Sequence, residues 1–251
     1  MKTLALANQK GGVGKTTTAI NLGAALGALE KRVLVVDCDP QGNASRGLGC
    51  SGEAPNLYDV LVGEAAPRDV VKATGFPFLD VLPTDRDLVA LEVELAGEAD
   101  WQPALRRALE PVLSAYDYVL IDCPPALGHL TIMALTAAEG LLVPLQCEYF
   151  ALEGISELMA TLERVRESVN PQLKIAGIVF TMFDHRTNLA RDVVAETREH
   201  FGARVCDTII PRNVRLAEAP SHGMPILQYD IKSRGAQAYL ELATEVLRRG
   251  E

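Results

Sequence analysis

The chain has 251 residues, 48% of them hydrophobic, enough to bury one large core or two small ones. Its net charge of −9 opposes nucleic-acid binding through the global field, and no apolar run reaches the ~20 residues of a membrane span. Five cysteines, Cys38, Cys50, Cys123, Cys147 and Cys206, are scattered without CxxC spacing, as small buried hydrophobes in a reducing cytoplasm would be, which argues against a zinc or iron–sulfur centre within one chain.

In chain order, Leu4 to Ala7 is the first predicted strand, entered with no stretch left for a signal peptide. Next comes Lys10-Gly11-Gly12-Val13-Gly14-Lys15-Thr16-Thr17, and then an alanine-rich helical pattern, Thr16 to Leu29. Strand, glycine loop, Lys-Thr and helix form a phosphate loop: the glycines let backbone N–H groups curl around an anion, and the helix adds its positive end. Lys15 is placed for the β- and γ-phosphates, and the Thr16 hydroxyl for Mg²⁺. The glycine expected five residues before Gly14 is replaced by Gln9, and a second lysine, Lys10, opens the loop. We read Lys10 as a charge offered across an interface to the nucleotide of a second subunit.

Further strands are predicted at Arg32 to Asp37, Phe78 to Leu82, Tyr118 to Ile121, Gly140 to Leu145, Ile175 to Thr181 and Val205 to Ile210. Their continuous apolar runs predict burial on both faces, as in a parallel sheet. Helical patterns separate them: Asp85 to Leu95, Pro103 to Leu113, Leu130 to Ala138, Gly154 to Val169, Asn188 to Phe201 and Gly235 to Arg249. The alternation predicts a single α/β domain over residues 1–251, with a mostly parallel twisted sheet and helices on both faces. Residues 42–77, rich in Gly, Ala and Pro, give no clear pattern.

Ligands of such sheets bind at the carboxyl ends of strands, where the acidic residues fall. Asp122 closes the run Tyr118 to Ile121, a Walker B pattern suited to the magnesium shell. In Asp37-Cys38-Asp39-Pro40-Gln41-Gly42, Asp39 is the candidate for positioning or deprotonating the attacking water. Asp37 reads as a group that orders the magnesium's waters or anchors the loop. Pro40 and Gly42 suggest a turn that responds to the γ-phosphate. Residues 181–251 hold ten basic and ten acidic side chains, so a contact with DNA would need a local basic patch there.

The phosphate loop resembles the deviant loop shared by ParA/Soj, MinD and the nitrogenase iron protein. Over nearly the whole chain, Leu4 to Leu247, the resemblance is to the ParA/Soj partition ATPases. It is carried by Asn8 to Thr17, Asp37 to Asn43, Asp122 to Pro125, Pro144 to Gly154 and Ile210 to Ser221, the last two being more particular to ParA/Soj. The resemblance implies a slow, Mg²⁺-dependent ATPase switch in the cytoplasm, associated with the nucleoid. Two ATP-bound subunits would form a sandwich homodimer in which each Lys10 reaches the other's phosphates. That dimer would bind DNA without sequence preference, and a ParB/Spo0J-like partner would stimulate hydrolysis and release. The family pattern assigns DNA phosphates to Arg186 and Arg215, with Lys232 and Arg234 as further candidates, and the adenine to Pro211, Arg212 and Asn213. His129 and Met133 depart from the typical pattern, in a region expected to face the second subunit. Among competing readings, a MinD-like membrane ATPase would need an amphipathic C-terminal helix beyond the core, and an iron-protein reductase a second suitable cysteine. A metabolic synthetase of this fold would lack the two particular segments, and a sequence-specific repressor would need an N-terminal helix-turn-helix. Here Tyr239, Leu240, Ala243, Val246 and Leu247 line one helix face that the core is expected to use.

Overall fold

The computed structural model describes residues 2–94, 100–148 and 151–250. Leu95, and Tyr149 and Phe150 of the Pro144–Gly154 segment, lie outside the described residues. The first half of the chain runs β1 (Thr3–Leu6), α1 (Lys15–Ala28), β2 (Val33–Asp37), α2 (Asn43–Gly47), α3 (Leu57–Leu61), α4 (Pro67–Val70), β3 (Lys72–Ala73), β4 (Leu79–Leu82), α5 (Leu88–Glu94), α6 (Ala104–Leu113) and β5 (Tyr118–Asp122). The second half runs α7 (His129–Ala137), β6 (Gly140–Gln146), α8 (Ala151–Ser168), β7 (Lys174–Phe183), α9 (Asn188–Phe201), β8 (Val205–Pro211), α10 (Val214–Glu218), α11 (Ile226–Tyr229) and α12 (Arg234–Gly250). Short 3₁₀ turns precede β8 and follow α10.

The strands form one sheet in the order β3-β4-β2-β5-β1-β6-β7-β8, parallel throughout except for the short edge strand β3. Each face has its own core. Leu34, Val36, Val119, Ile121, Leu141 and Val143 pack with α3 to α9, whereas Val33, Val35, Leu120 and Leu142 pack with α1 and α12. Successive residues of a strand therefore serve opposite cores, which is why the runs are continuous rather than alternating. Each fully buried Val, Leu or Ile contributes roughly 1.5–3 kcal/mol relative to exposure. The predicted mostly parallel α/β architecture is the observed one.

Helix α12 turns Tyr239, Ala243 and Val246 into the core, with Leu240 and Leu247 half-buried beside it. Tyr239 also hydrogen-bonds Thr18 of α1 at 3.1 Å (Oη to Oγ1). The apolar face of α12 is thus spent on the core. Among the described residues no helix is long and apolar enough to cross a membrane.

The order of strands fixes the site. From central β1 the chain moves first to one side (β2, β4, β5) and later to the other (β6, β7, β8). The crevice at the carboxyl end of β1 is the switch point where ligands of such sheets bind. Register puts Leu6 level with Asp122, and Asp122 level with Asp37.

Candidate nucleotide-binding site

The loop leaving β1 enters α1 through Gly14, at φ 88°, a left-handed conformation that glycine adopts without strain. Helix α1 begins with no side-chain cap and no acid in its first turn, so its N-terminal amides have no anion of their own. The loop is held from two strands away: the Thr181 hydroxyl donates to the Val13 carbonyl at 2.7 Å. Lys15 is only 6% exposed and lays its ammonium on the Lys10 carbonyl at 3.1 Å. Burial lowers its pKa, while Asp122, Cys123 and Asp39 oppose the shift.

The three aspartates separate into distinct roles. Asp37 is fully buried, and its Oδ2 accepts from both the amide and the hydroxyl of Ser45 at 2.7 Å. The Ser45 hydroxyl in turn accepts from the Thr84 amide at 3.1 Å. Asp37 thus ties the start of α2 to the strand end. Asp39 follows in a turn closed by Gly42 N–H to the Asp39 carbonyl at 2.8 Å, with Gly42 at φ 61°. One Asp39 oxygen accepts from the Gln41 amide at 2.9 Å. Asp122 is fully buried, and among the described residues neither of its oxygens has a hydrogen-bond partner. Thr16 stands close enough to favour its charged form, though outside hydrogen-bonding geometry.

An orphaned buried carboxylate beside a hydroxyl and an anion-binding loop fits a hydrated divalent cation. Among the described residues no group of three or more His, Cys, Asp or Glu could enclose a metal. Mg²⁺ is ordinarily held by one or two protein groups, water and phosphate, and Thr16 and Asp122 are the groups present here.

Burial pushes the Asp37 carboxyl up to about 6, against the Ser45 hydrogen bonds. Burial, then the nearby Asp37, raises Asp122 well above the carboxylate range. A carboxyl whose folded pKa exceeds its unfolded value of 3.8 keeps a proton that the unfolded chain has released. Stability therefore falls as pH rises from 3.8 through the folded value. The ligand-free chain is expected to melt at a lower temperature near pH 7 than near pH 5, and Asp122→Asn to flatten that slope. Calorimetric melts of both proteins check this; a slope unchanged in the variant would clear Asp122.

Two cavities meet at Gly14 and Thr17. One, of about 320 Å³, is lined by Gly12, Lys15, Thr16, Asp39 and Gln41. The other, of about 340 Å³ and mostly apolar, is lined by Met182, Pro211, Arg212, Asn213, Val214 and Tyr239. The structure thus brings the predicted Pro211–Asn213 segment to the phosphate loop. The Arg212 amide donates to the Phe183 carbonyl at 3.0 Å, and Asn213 caps α10 by accepting from the Arg215 amide at 2.8 Å.

The predicted basic residues gather at the same end of the sheet, where Phe183 of β7 is level with Pro211 of β8. Arg186 is on the surface but clasped by Asp184, at 2.9 and 2.6 Å, and this holds the Asp184 carboxyl well below the usual range. Arg215 bonds Glu218 at 2.8 Å and lies 3.7 Å from Asp230. Lys232 and Arg234 are exposed, and the Lys232 amide donates to the Asp230 carboxylate at 3.2 Å. The expectation for Met133 is corrected: it is fully buried in the core, because it lies on the sheet-facing side of α7 with Leu130 and Ala134. His129, at the start of α7, packs edge-on against Trp101 at 4.6 Å.

Sequence reasoning missed Ser45, Thr181, Asn8 and Glu148. Asn8 donates to the Pro144 carbonyl at 2.8 Å and accepts from the Lys10 amide at 3.0 Å. Glu148 forms an ion pair with Lys10. Only the placement of Asn8 and Glu148 in segments already singled out hinted at this.

The fold and the loop together define a phosphate-loop ATPase of the α/β class. A family model described as "AAA domain" matches residues 1–175. The chain is 56% identical to the chromosome partitioning protein ParA of Caulobacter vibrioides, over 99% of this chain and 95% of that one. It is 55% identical to the chromosome-partitioning ATPase Soj of Thermus thermophilus, over 99% and 96%. A solved structure, cobyrinic acid a,c-diamide synthase from Mycobacterium smegmatis with bound ADP and magnesium, shares the fold at a TM-score of 0.87 and 38% identity, covering 100% of this chain and 95% of that one. The chain belongs to the ParA/Soj family of chromosome-partitioning ATPases.

Proposed function

We propose that residues 1–251 act as one ATP-driven switch for DNA segregation. ATP with Mg²⁺ assembles two subunits face to face, the pair binds DNA without sequence preference, and hydrolysis stimulated by a ParB/Spo0J-like partner releases it. The observation that carries this reading is the meeting of the two cavities at Gly14 and Thr17, a charged one above the loop and an apolar one beside Pro211 to Asn213. Their union suits a nucleoside triphosphate.

In this reading the amides of Gly11 to Thr17 and the Lys15 ammonium hold the phosphates, and Lys15 exchanges the Lys10 carbonyl for phosphate oxygens. Thr16 and Asp122 would hold a bound magnesium and its waters, Asp37 keeping the neighbouring loop in place. Such a cation would supply neutralisation of the charge that develops on the phosphates. Asp39 orients the attacking water and takes its proton. Pro211, Arg212 and Asn213 flank the base. Lys10 of each subunit reaches the other's phosphates.

Arg186, Arg215, Lys232 and Arg234 would meet DNA phosphates, releasing Asp184, Glu218 and Asp230 as they do so. A single weakly basic patch binds poorly, and two joined in a dimer bind as a bivalent surface. Membrane attachment as in MinD is the second reading; α12 cannot serve as its membrane helix, because its apolar face is buried in the core.

The test is fluorescence anisotropy of a random-sequence duplex across a salt series, with Mg²⁺ and either ATP or ADP. Salt-sensitive binding with ATP and little with ADP is expected. Arg215→Ala is expected to weaken binding and to lower the salt slope by about one unit for each DNA phosphate that Arg215 neutralises, leaving the dimer intact. Equal binding with both nucleotides, or none, rejects the DNA switch.

A further inference from the structure

Lys10 is engaged at three points, all within its own chain. Its carbonyl receives Lys15, its amide donates to Asn8, and its ammonium meets Glu148. Two of these lead to the end of β6. Asn8 is bonded to the Pro144 carbonyl within that strand, and Glu148 stands two residues past its end, in a turn closed by its own amide on the Gln146 carbonyl at 2.9 Å. The start of the phosphate loop is thus bonded to β6 through Asn8 and to the turn after it through Lys10.

We propose that Glu148 is a positioning residue for Lys10: in the single subunit its carboxylate holds the ammonium, and dimerisation exchanges that carboxylate for the second subunit's nucleotide. This rests on the cross-subunit role given to Lys10 above. Three observations carry it. Both side chains are nearly half exposed, 45% for Lys10 and 43% for Glu148, so an incoming phosphate can reach the pair. An exposed pair is weak enough to open readily. The exchange swaps anion for anion: a triphosphate carries several negative charges against one on Glu148, and its terminal phosphate is the group ADP lacks. Glu148 thus opposes pairing where Lys10 must leave it: the pair yields to ATP, stays closed with ADP, and its cost falls chiefly on the ATP dimer.

Two measurements on the full chain test this. A carbodiimide joins an amine to a carboxylate only in direct contact. Peptide mapping is expected to find an intrachain Lys10–Glu148 cross-link in the nucleotide-free protein, depleted by Mg²⁺-ATP and retained with ADP. Sedimentation of Glu148→Gln with Mg²⁺-ATP is expected to show a dimer Kd lower by roughly two- to fivefold, with little change in ADP. Glu110→Gln, which changes net charge equally on the exposed side of α6, is expected to leave both nucleotides' values unchanged. In a Lys10→Ala background, Glu148→Gln is expected to have no effect. Absence of the cross-link, or its persistence in the ATP dimer, overturns the latch alone. So does a dimer Kd unchanged or raised in Glu148→Gln. A wild-type chain that stays monomeric with Mg²⁺-ATP overturns the cross-subunit reading and the exchange together.

Discussion

Replacing Asp39 with alanine is expected to slow ATP hydrolysis by about 10²- to 10⁴-fold while leaving nucleotide binding intact. Asp39 lines the charged cavity with Lys15 and Thr16, and Gln41 occupies one of its oxygens, leaving the other for water. Asp37 and Asp122 are less suited to take a proton, since the first is bound to Ser45 and the second lies fully buried beneath the loop. Single-turnover phosphate release measures the loss. The variant should also remain on DNA with ATP long after the wild type has dissociated. Asp39→Asn separates chemistry from scaffolding, because asparagine can still accept from the Gln41 amide. Slow turnover in both variants marks a base or water-positioning group; recovery in Asp39→Asn assigns Asp39 to the turn, and normal turnover in Asp39→Ala removes it from catalysis.

The second large effect is expected at Lys10. Lys10→Ala should bind ATP with near wild-type affinity, because Lys15 and the loop amides remain, yet fail to dimerise. A hydrogen bond to a charged group contributes about 1.5–3 kcal/mol, and a two-fold dimer contains this one twice. Removing both raises the dimer Kd by about 10²- to 10⁴-fold. Sedimentation with Mg²⁺-ATP reads the dimer, and titration with a fluorescent ATP analogue reads binding. Normal dimerisation would refute the cross-subunit role, and loss of nucleotide binding would place Lys10 with its own subunit's phosphates.

How much of this was legible in the residues depended on how local the signal is. Val33 to Val36 and Tyr118 to Ile121 announce buried strands because both faces of the sheet need apolar side chains. The phosphate loop is legible because its glycine conformations and the helix that follows are contiguous. The stretch 42–77 was not, because α2, α3 and α4 are too short to show a period. Helix α3 is set by Asn56 and Asp59, which cap it reciprocally, and α2 by Ser45 docking on Asp37. Helix α5 starts three residues later than its pattern suggested, because the Asp85 side chain accepts from the Asp87 amide at 3.0 Å and makes a turn. Glu148 was hidden for another reason: its partner lies 138 positions away, and charge alone does not reveal which of 24 basic residues it meets.

The place of β1 in the sheet bears on the order of folding. It pairs Thr3 with Val119 and Leu4 with Gly140, and the helix it feeds is bonded by Thr18 to Tyr239. Closing such distant contacts is slow, because chain entropy is lost before they can form. The glycine loop and the helix beneath it are therefore expected to reach their native form late in folding, once β5 and β6 have docked beside β1 and α12 against α1. Competence to hold a nucleotide is then a property of the assembled sheet rather than of the local segment that carries the loop.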